Sequence, residues 1–183
     1  MDWVTVYLGL GSNLGCRREN LAKCVLHLSG QQLSGQGRPT APEGLFKPGG
    51  LRLVRSSDVY ETEPWGFAGQ GPFLNCVLEI STAITPQDLL VGVKALESRL
   101  GRQASQRYGP RAIDIDILLY GREIVDLPDL QIPHPRLHQR AFVLVPLAEI
   151  APHLIHPSLG ISIGDLAGRV GGKDGVRKWS GRR

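Results

Sequence analysis

The chain has little with which to cross-link itself or to span a bilayer. Its 183 residues include three cysteines, Cys16, Cys24 and Cys76, with no CxxC pair. An odd number in apolar or helical surroundings fits reduced core fillers and excludes a disulfide framework. No stretch approaches the ~18 apolar residues a membrane helix requires, so no membrane partner is expected. The opening MDWVTVYLGLGS has an acid at position 2, no basic start and too short an apolar run for a signal peptide. A cytoplasmic address is therefore expected. A GxxxxGK[ST] loop is missing, which excludes a Walker-type ATP site. GLGSNLG falls between a strand-like and a helix-like run, but its third glycine is displaced from GxGxxG. No acid ends a second strand at the dinucleotide distance, which argues against an NAD domain.

Nor is there a basic face spread along the sequence. The formal net charge is +4 and the pI about 9.2, yet residues 171–183 alone carry Lys173, Arg177, Lys178, Arg182 and Arg183 against Asp174. The remainder is balanced, whereas a nucleic-acid reader carries its basic surface on the fold. Residues 171–183 thus read as a flexible basic tail, dispensable for activity, and no nucleic-acid partner is expected.

What is present is ordinary globular composition, 42% hydrophobic and 21% charged, enough for one domain over residues 1–170. Residues 3–10 read as a strand, broken at GLGSNLG, and residues 19–28 space Leu21, Cys24, Val25 and Leu28 at helical intervals. From Ser29 to Gly50 the sequence is rich in Gly, Gln, Pro and Ser, and a flexible insertion is predicted there. Residues 51–60 and 73–81 are strand candidates. Thr85 as N-cap, Pro86 at the first helical position and a Leu89, Leu90, Val93, Leu96, Leu100 stripe ending at Gly101 predict a helix. Residues 112–120 alternate Ile113, Ile115 and Ile117 against Asp114, Asp116 and Leu118, the period-two mark of a strand. Interleaved helices and hairpins predict an α+β sandwich, a mostly antiparallel sheet with helices packed against it.

The chemistry concentrates in RYGPRAIDIDILLYG. Residues two apart on a strand project from one face about 6.5 Å apart, so Asp114 and Asp116 reach toward one volume. Uncompensated, they would repel; hard oxygen ligands at this spacing suit Mg²⁺. Arg99, Arg102, Arg107 and Arg111 lie just before them around Gly101, Gly109 and Pro110. A cationic arm beside an anionic metal site fits Mg²⁺-bound polyphosphate, and the glycines predict an arm that closes over substrate. Further on, His134 between two prolines, Arg136, Arg140 and Phe142 form another cationic cluster. Trp65, Phe73 and Phe142 could stack a flat ring, and Asn75, two residues after Phe73, offers an amide on the same face.

Four separated segments, GLGSNLG, SSDVYETEPWG with FLNCV, RYGPRAIDIDILLYG and IPHPRLHQRAFVLVPLAEIAP, together resemble the 6-hydroxymethyl-7,8-dihydropterin pyrophosphokinase family, over residues 4–166. The resemblance implies a ferredoxin-like sandwich, ATP and hydroxymethyldihydropterin as small-molecule substrates, and a monomer. It implies transfer of pyrophosphate from ATP to the pterin alcohol, releasing AMP, in folate biosynthesis. Asp114 and Asp116 would then ligate two Mg²⁺ ions, with Arg102 and Arg111 assisting catalysis. Thr62, Trp65, Phe73, Asn75 and Phe142 would hold the pterin, and Glu97, Arg107, Arg111, Ile117, His134 and Arg140 the ATP. The arm QASQ between Arg102 and Arg107 is shorter than in familiar members, Tyr108 stands where tryptophan is common, and Phe73 where tyrosine is common. A pterin-binding relative without catalysis, or a nucleic-acid module using the tail, are the competing classes.

Overall fold

Alternation along three long strands builds the molecule. The computed structural model describes residues 2–29, 50–64, 69–101 and 109–181. β1 (Val4–Ser12) leads to α1 (Arg17–Ser29), and β2 (Leu51–Ser56) and β3 (Tyr60–Thr62) precede β4 (Phe73–Thr82). Then come α2 (Pro86–Arg99), β5 (Asp114–Tyr120) and a small hairpin of β6 (Val125–Leu127) with β7 (Leu130–Ile132). A 3-10 turn at Leu137–Gln139 enters α3 (Ala141–Ile150), which α4 (Ile163–Arg169) and β8 (Val176–Lys178) follow.

The main sheet runs β5-β1-β4-β3-β8, with β2 also pairing with β4, and each pairing is antiparallel. The units β1-α1-β2 and β4-α2-β5 are split βαβ motifs, each leaving space for a strand of the other, which is the ferredoxin-like arrangement expected. Both helices cover one face. Val6, Leu8 and Leu10 of β1, Leu74, Cys76, Leu78 and Ile80 of β4, and Ile115 and Ile117 of β5 meet Leu21, Cys24 and Leu28 of α1 and Leu89, Val93 and Leu96 of α2 there. On the other face Tyr7, Val77 and Leu118 pack under Leu144 and Leu147 of α3 and Leu166 of α4. α3 and α4 cover only part of that face, and the uncovered part carries the site.

The α2 signals act as the sequence predicts. The Thr85 hydroxyl accepts the Asp88 N–H at 3.2 Å, Pro86 opens the helix, and Gly101 follows it at φ +93°. The strand expected over 51–60 is broken at Ser57, whose hydroxyl accepts the Val77 N–H at 2.9 Å.

The reading of residues 171–183 as a flexible tail is corrected. Val176 to Lys178 pair with Thr62 to Tyr60, and the Trp179 N–H donates to the Val59 carbonyl at 2.8 Å. Basic composition hid a strand whose Trp179 side chain packs on the helix-covered core. The insertion predicted between Ser29 and Gly50, and the arm 102–108, lie outside the described residues. No helix among the described residues is long and apolar enough to cross a membrane.

Candidate active site

Strand register assembles the site. Asn75 of β4 lies opposite Gly11 of β1, which lies opposite Asp114 of β5. In the next row on the same face, Val77 lies opposite Gly9 and Gly9 opposite Asp116. The two glycines form a floor without side chains between the amide on one strand and the carboxylates on the other. The resulting cleft encloses about 890 Å³, open solvent included.

Gly11 fits this floor tightly. A Cβ there would stand 3.0 Å from Asn75 Oδ1 and 3.7 Å from Phe73 Cδ1, so even alanine would push on the amide. The buried Asn75 Nδ2 donates to Thr62 Oγ1 at 2.8 Å. With that bond made, Oδ1 lies toward Gly11. Phe73, one row along, and Phe142 at the start of α3 line the same cleft. One end is therefore aromatic and amide-bearing.

The other end is ionic. Arg111 Nη1 donates to Asp114 Oδ2 at 2.7 Å, and Arg140 Nη1 to Asp116 Oδ2 at 3.2 Å. Each carboxylate is about a quarter to a third exposed, 23% and 32%, so both can be reached from the cleft. The His134 N–H donates to the Leu118 carbonyl at 2.9 Å, fixing that residue against β5. His134 Nδ1 accepts the Arg136 N–H at 3.1 Å, which in the neutral ring leaves the proton on Nε2, 3.7 Å from Asp116 Oδ2. Burial pushes the His134 pKa below the ordinary histidine value, and the Asp116 carboxylate partly opposes this.

The loop after β1 holds the ionic end. Asn13 Oδ1 accepts the Arg111 N–H at 2.7 Å, and the Asn13 N–H donates to the Arg111 carbonyl at 3.1 Å. Ser12 Oγ donates to the Ala112 carbonyl at 2.6 Å, and Asn13 Nδ2 to Gln70 Oε1 at 2.9 Å. GLGSNLG is thus the floor and the clamp of this site.

Thr62, Phe73, Asn75, Arg111, Asp114, Asp116, His134, Arg140 and Phe142 converge on the cleft as the sequence predicts. Glu97 and Ile117 do not line it. Ile117 follows the alternation of Ile113 and Ile115 into the helix-covered core. Glu97 is fully buried on α2, where its carboxylate accepts the Ile115 N–H at 2.6 Å and the Lys94 ammonium at 3.0 Å. It supports β5 from behind, between the two aspartates. Trp65, Arg102 and Arg107 lie outside the described residues. Sequence reasoning missed Gly9, Gly11, Asn13 and Gln70 as site residues. The signal available for the glycines was their two-residue spacing in a strand.

The carboxylate pair fits a divalent cation. No group of three His, Cys, Asp or Glu side chains that could hold a metal occurs among the described residues, so a closed structural site is not built here. Mg²⁺ needs less, since one or two carboxylates suffice when substrate phosphates and water complete its shell. The guanidinium partners of Asp114 and Asp116 supply the compensating positive charge.

The chain matches the model of the 7,8-dihydro-6-hydroxymethylpterin-pyrophosphokinase family over residues 7–152. It is 42% identical over 153 residues to the 2-amino-4-hydroxy-6-hydroxymethyldihydropteridine pyrophosphokinase of Aquifex aeolicus, covering 84% of each chain. To the folic acid synthesis protein FOL1 of Dictyostelium discoideum it is 38% identical over 157 residues, 86% of this chain but 21% of that longer one. Its fold is similar to that of the Plasmodium falciparum HPPK-DHPS crystal structure with pteroate, with a TM-score of 0.67 and 16% identity over 91% of this chain and 42% of that one. The cleft, its carboxylate pair and these matches lead to one assignment: the chain belongs to the 7,8-dihydro-6-hydroxymethylpterin-pyrophosphokinase family.

Proposed function

We propose that the cleft binds 6-hydroxymethyl-7,8-dihydropterin and ATP together and transfers pyrophosphate from ATP to the pterin alcohol, in folate biosynthesis. The observation that carries this is the division of one cleft into an aromatic, amide-bearing end and a carboxylate–guanidinium end. Phe73 and Phe142 offer ring faces to a flat heterocycle, Asn75 and Thr62 offer donors and acceptors to its edge, and Trp65 is assigned to the same half. Arg111, His134 and Arg140, with Arg102 and Arg107 of the arm, are assigned to the nucleotide phosphates.

Asp114 and Asp116 would hold Mg²⁺, which when bound draws charge from the phosphate oxygens and orients the triphosphate. The residues of the chain do the rest. The aromatic half holds the hydroxymethyl oxygen still, so that attack on the β-phosphorus is effectively unimolecular. The alcohol's proton passes to solvent, the bond from the β-phosphorus to the oxygen bridging it to the α-phosphate breaks, and AMP leaves with that oxygen. Arg111 and Arg140, already placed at the ionic end, stabilise negative charge as it develops on the leaving and transferring groups. We assign Glu97 and Ile117 supporting roles behind β5 in place of direct ATP contact.

The test is release of AMP from ATP by the purified protein. AMP should form in equal amount to the pterin pyrophosphate, only with both the pterin alcohol and Mg²⁺ present. AMP release independent of the pterin, or none with all components, refutes the reading.

A further inference from the structure

β3, which carries Thr62, has three residues and two neighbours. On one side β4 pairs Thr62 with Phe73 and Tyr60 with Asn75. On the other, β8 pairs Thr62 with Val176, Glu61 with Arg177 and Tyr60 with Lys178. β8 lies beyond the residues 7–152 that match the family model.

β8 is fastened at three points that do not involve the cleft. The Trp179 N–H donates to the Val59 carbonyl at 2.8 Å, while the Trp179 ring packs on the core and under the Arg18 guanidinium of α1, 5.9 Å from its centroid. The Lys178 ammonium pairs with the Asp58 carboxylate. The Asp58 N–H and the Tyr60 hydroxyl both donate to the Glu149 carboxylate of α3, the latter at 2.9 Å. A strand this short, with so few ladder bonds, takes its position from its neighbours. The sequence after Thr62 leads directly to Glu63, another wall of the cleft.

We infer that β8 is a positioning element for the pterin half of the site. By fixing the outer edge of β3 it holds Thr62 at the distance that orients the Asn75 amide, so residues 176–179 set pterin affinity without touching pterin. This rests on the assignment of the aromatic end to the pterin.

The backbone gives a selective way to test it. The Trp179 N–H faces β3, so by antiparallel alternation the Arg177 N–H, two residues earlier, faces β3 as well. Arg177→Pro deletes that donor, and Arg177→Ala keeps it. With full-length protein, Arg177→Pro should raise the pterin KM by about tenfold while the ATP KM and kcat stay within about twofold. Arg177→Ala should match wild type in all three. A chain ending at Gly175 should reproduce Arg177→Pro. Unchanged pterin KM in both Arg177→Pro and the truncation overturns the inference. So does a parallel rise in both KM values accompanied by a lowered melting temperature, because that describes general loosening. Wild-type protein assayed alongside separates the two readings. If it releases no AMP the function itself is wrong and this inference falls with it, whereas an active wild type with indifferent variants refutes β8 alone.

Discussion

The two faces of one sheet are built to opposite specifications. Toward α1 and α2, the inward positions of β1, β4 and β5 are large and apolar, with Leu8, Leu78, Ile80 and Ile115 at 0–1% exposure. Toward the cleft, the alternate positions of the same strands are Gly9, Gly11, Asn75, Asp114 and Asp116. The face that stabilises is dense and featureless, and the face that reacts has glycines where side chains would fill the space. Because alternation separates the two sets, the sheet can hold two carboxylates and an amide in rigid register while its α1–α2 side, and the part of the cleft side under α3 and α4, supply the hydrophobic free energy.

Changes on the two faces should therefore be separable. The largest effect is expected from Asp116→Ala, which should lower kcat by about a thousandfold. Its melting temperature should stay within a few degrees of wild type, because the carboxylate is part-exposed. Wild-type turnover by this variant would refute the assignment of Asp116 to the metal. Leu78→Ala on the opposite face should lose about 2–5 kcal/mol of stability in denaturant unfolding. Both of its KM values should remain at wild type below the transition, and altered KM values would show that the faces are coupled.

Gly11→Ala lies on the boundary. Its Cβ would press on Asn75 Oδ1 at 3.0 Å, and a rise of about tenfold in pterin KM is expected, with ATP KM unchanged. A wild-type value would mean the amide can move aside.

The smallest effect concerns His156, away from the cleft. Both ring nitrogens are buried with no hydrogen-bond partner among the described residues. Burial lowers its pKa, and His138, with its ring centroid 6.4 Å away, adds to the shift. The unfolded chain thus binds the proton at a higher pH than the folded one. Stability is unaffected well above the ordinary histidine value of about 6.5, and falls as pH drops from there toward the lowered folded value. Melting curves between about pH 7.5 and pH 5 should show this decline, and His156→Leu should flatten it. An equal slope in the variant would assign the decline to other groups.

Much of the site could be read from the sequence because it depends on local periodicity. Asp114 and Asp116 alternate with isoleucines, and that pattern alone places them together on a strand face. The α2 stripe and its cap were legible for the same reason. What depends on pairing between distant strands was not. GLGSNLG shows two glycines two residues apart, but that they face Asn75 and the aspartates follows only from the β1–β4 and β1–β5 registers. Glu97 reads as a charged residue within an amphipathic helix, and its burial against the Ile115 N–H requires knowing that α2 crosses β5. β8 was hidden because the charge of residues 171–183 outweighed the short VRKW signal. Three residues are too few to stand out in so basic a segment, and the pairing of β8 with β3 shows only in the fold.

On the proposed function, Asp114 and Asp116 hold Mg²⁺ when nucleotide is bound. A crystal structure with Mg²⁺, a non-hydrolysable ATP analogue and the pterin alcohol tests this most directly. Cations about 2.0–2.1 Å from oxygens of both carboxylates and from the nucleotide phosphates are expected, with the pterin ring between Phe73 and Phe142. Nucleotide bound with both carboxylates still on Arg111 and Arg140, and no cation between them and the phosphates, would contradict it.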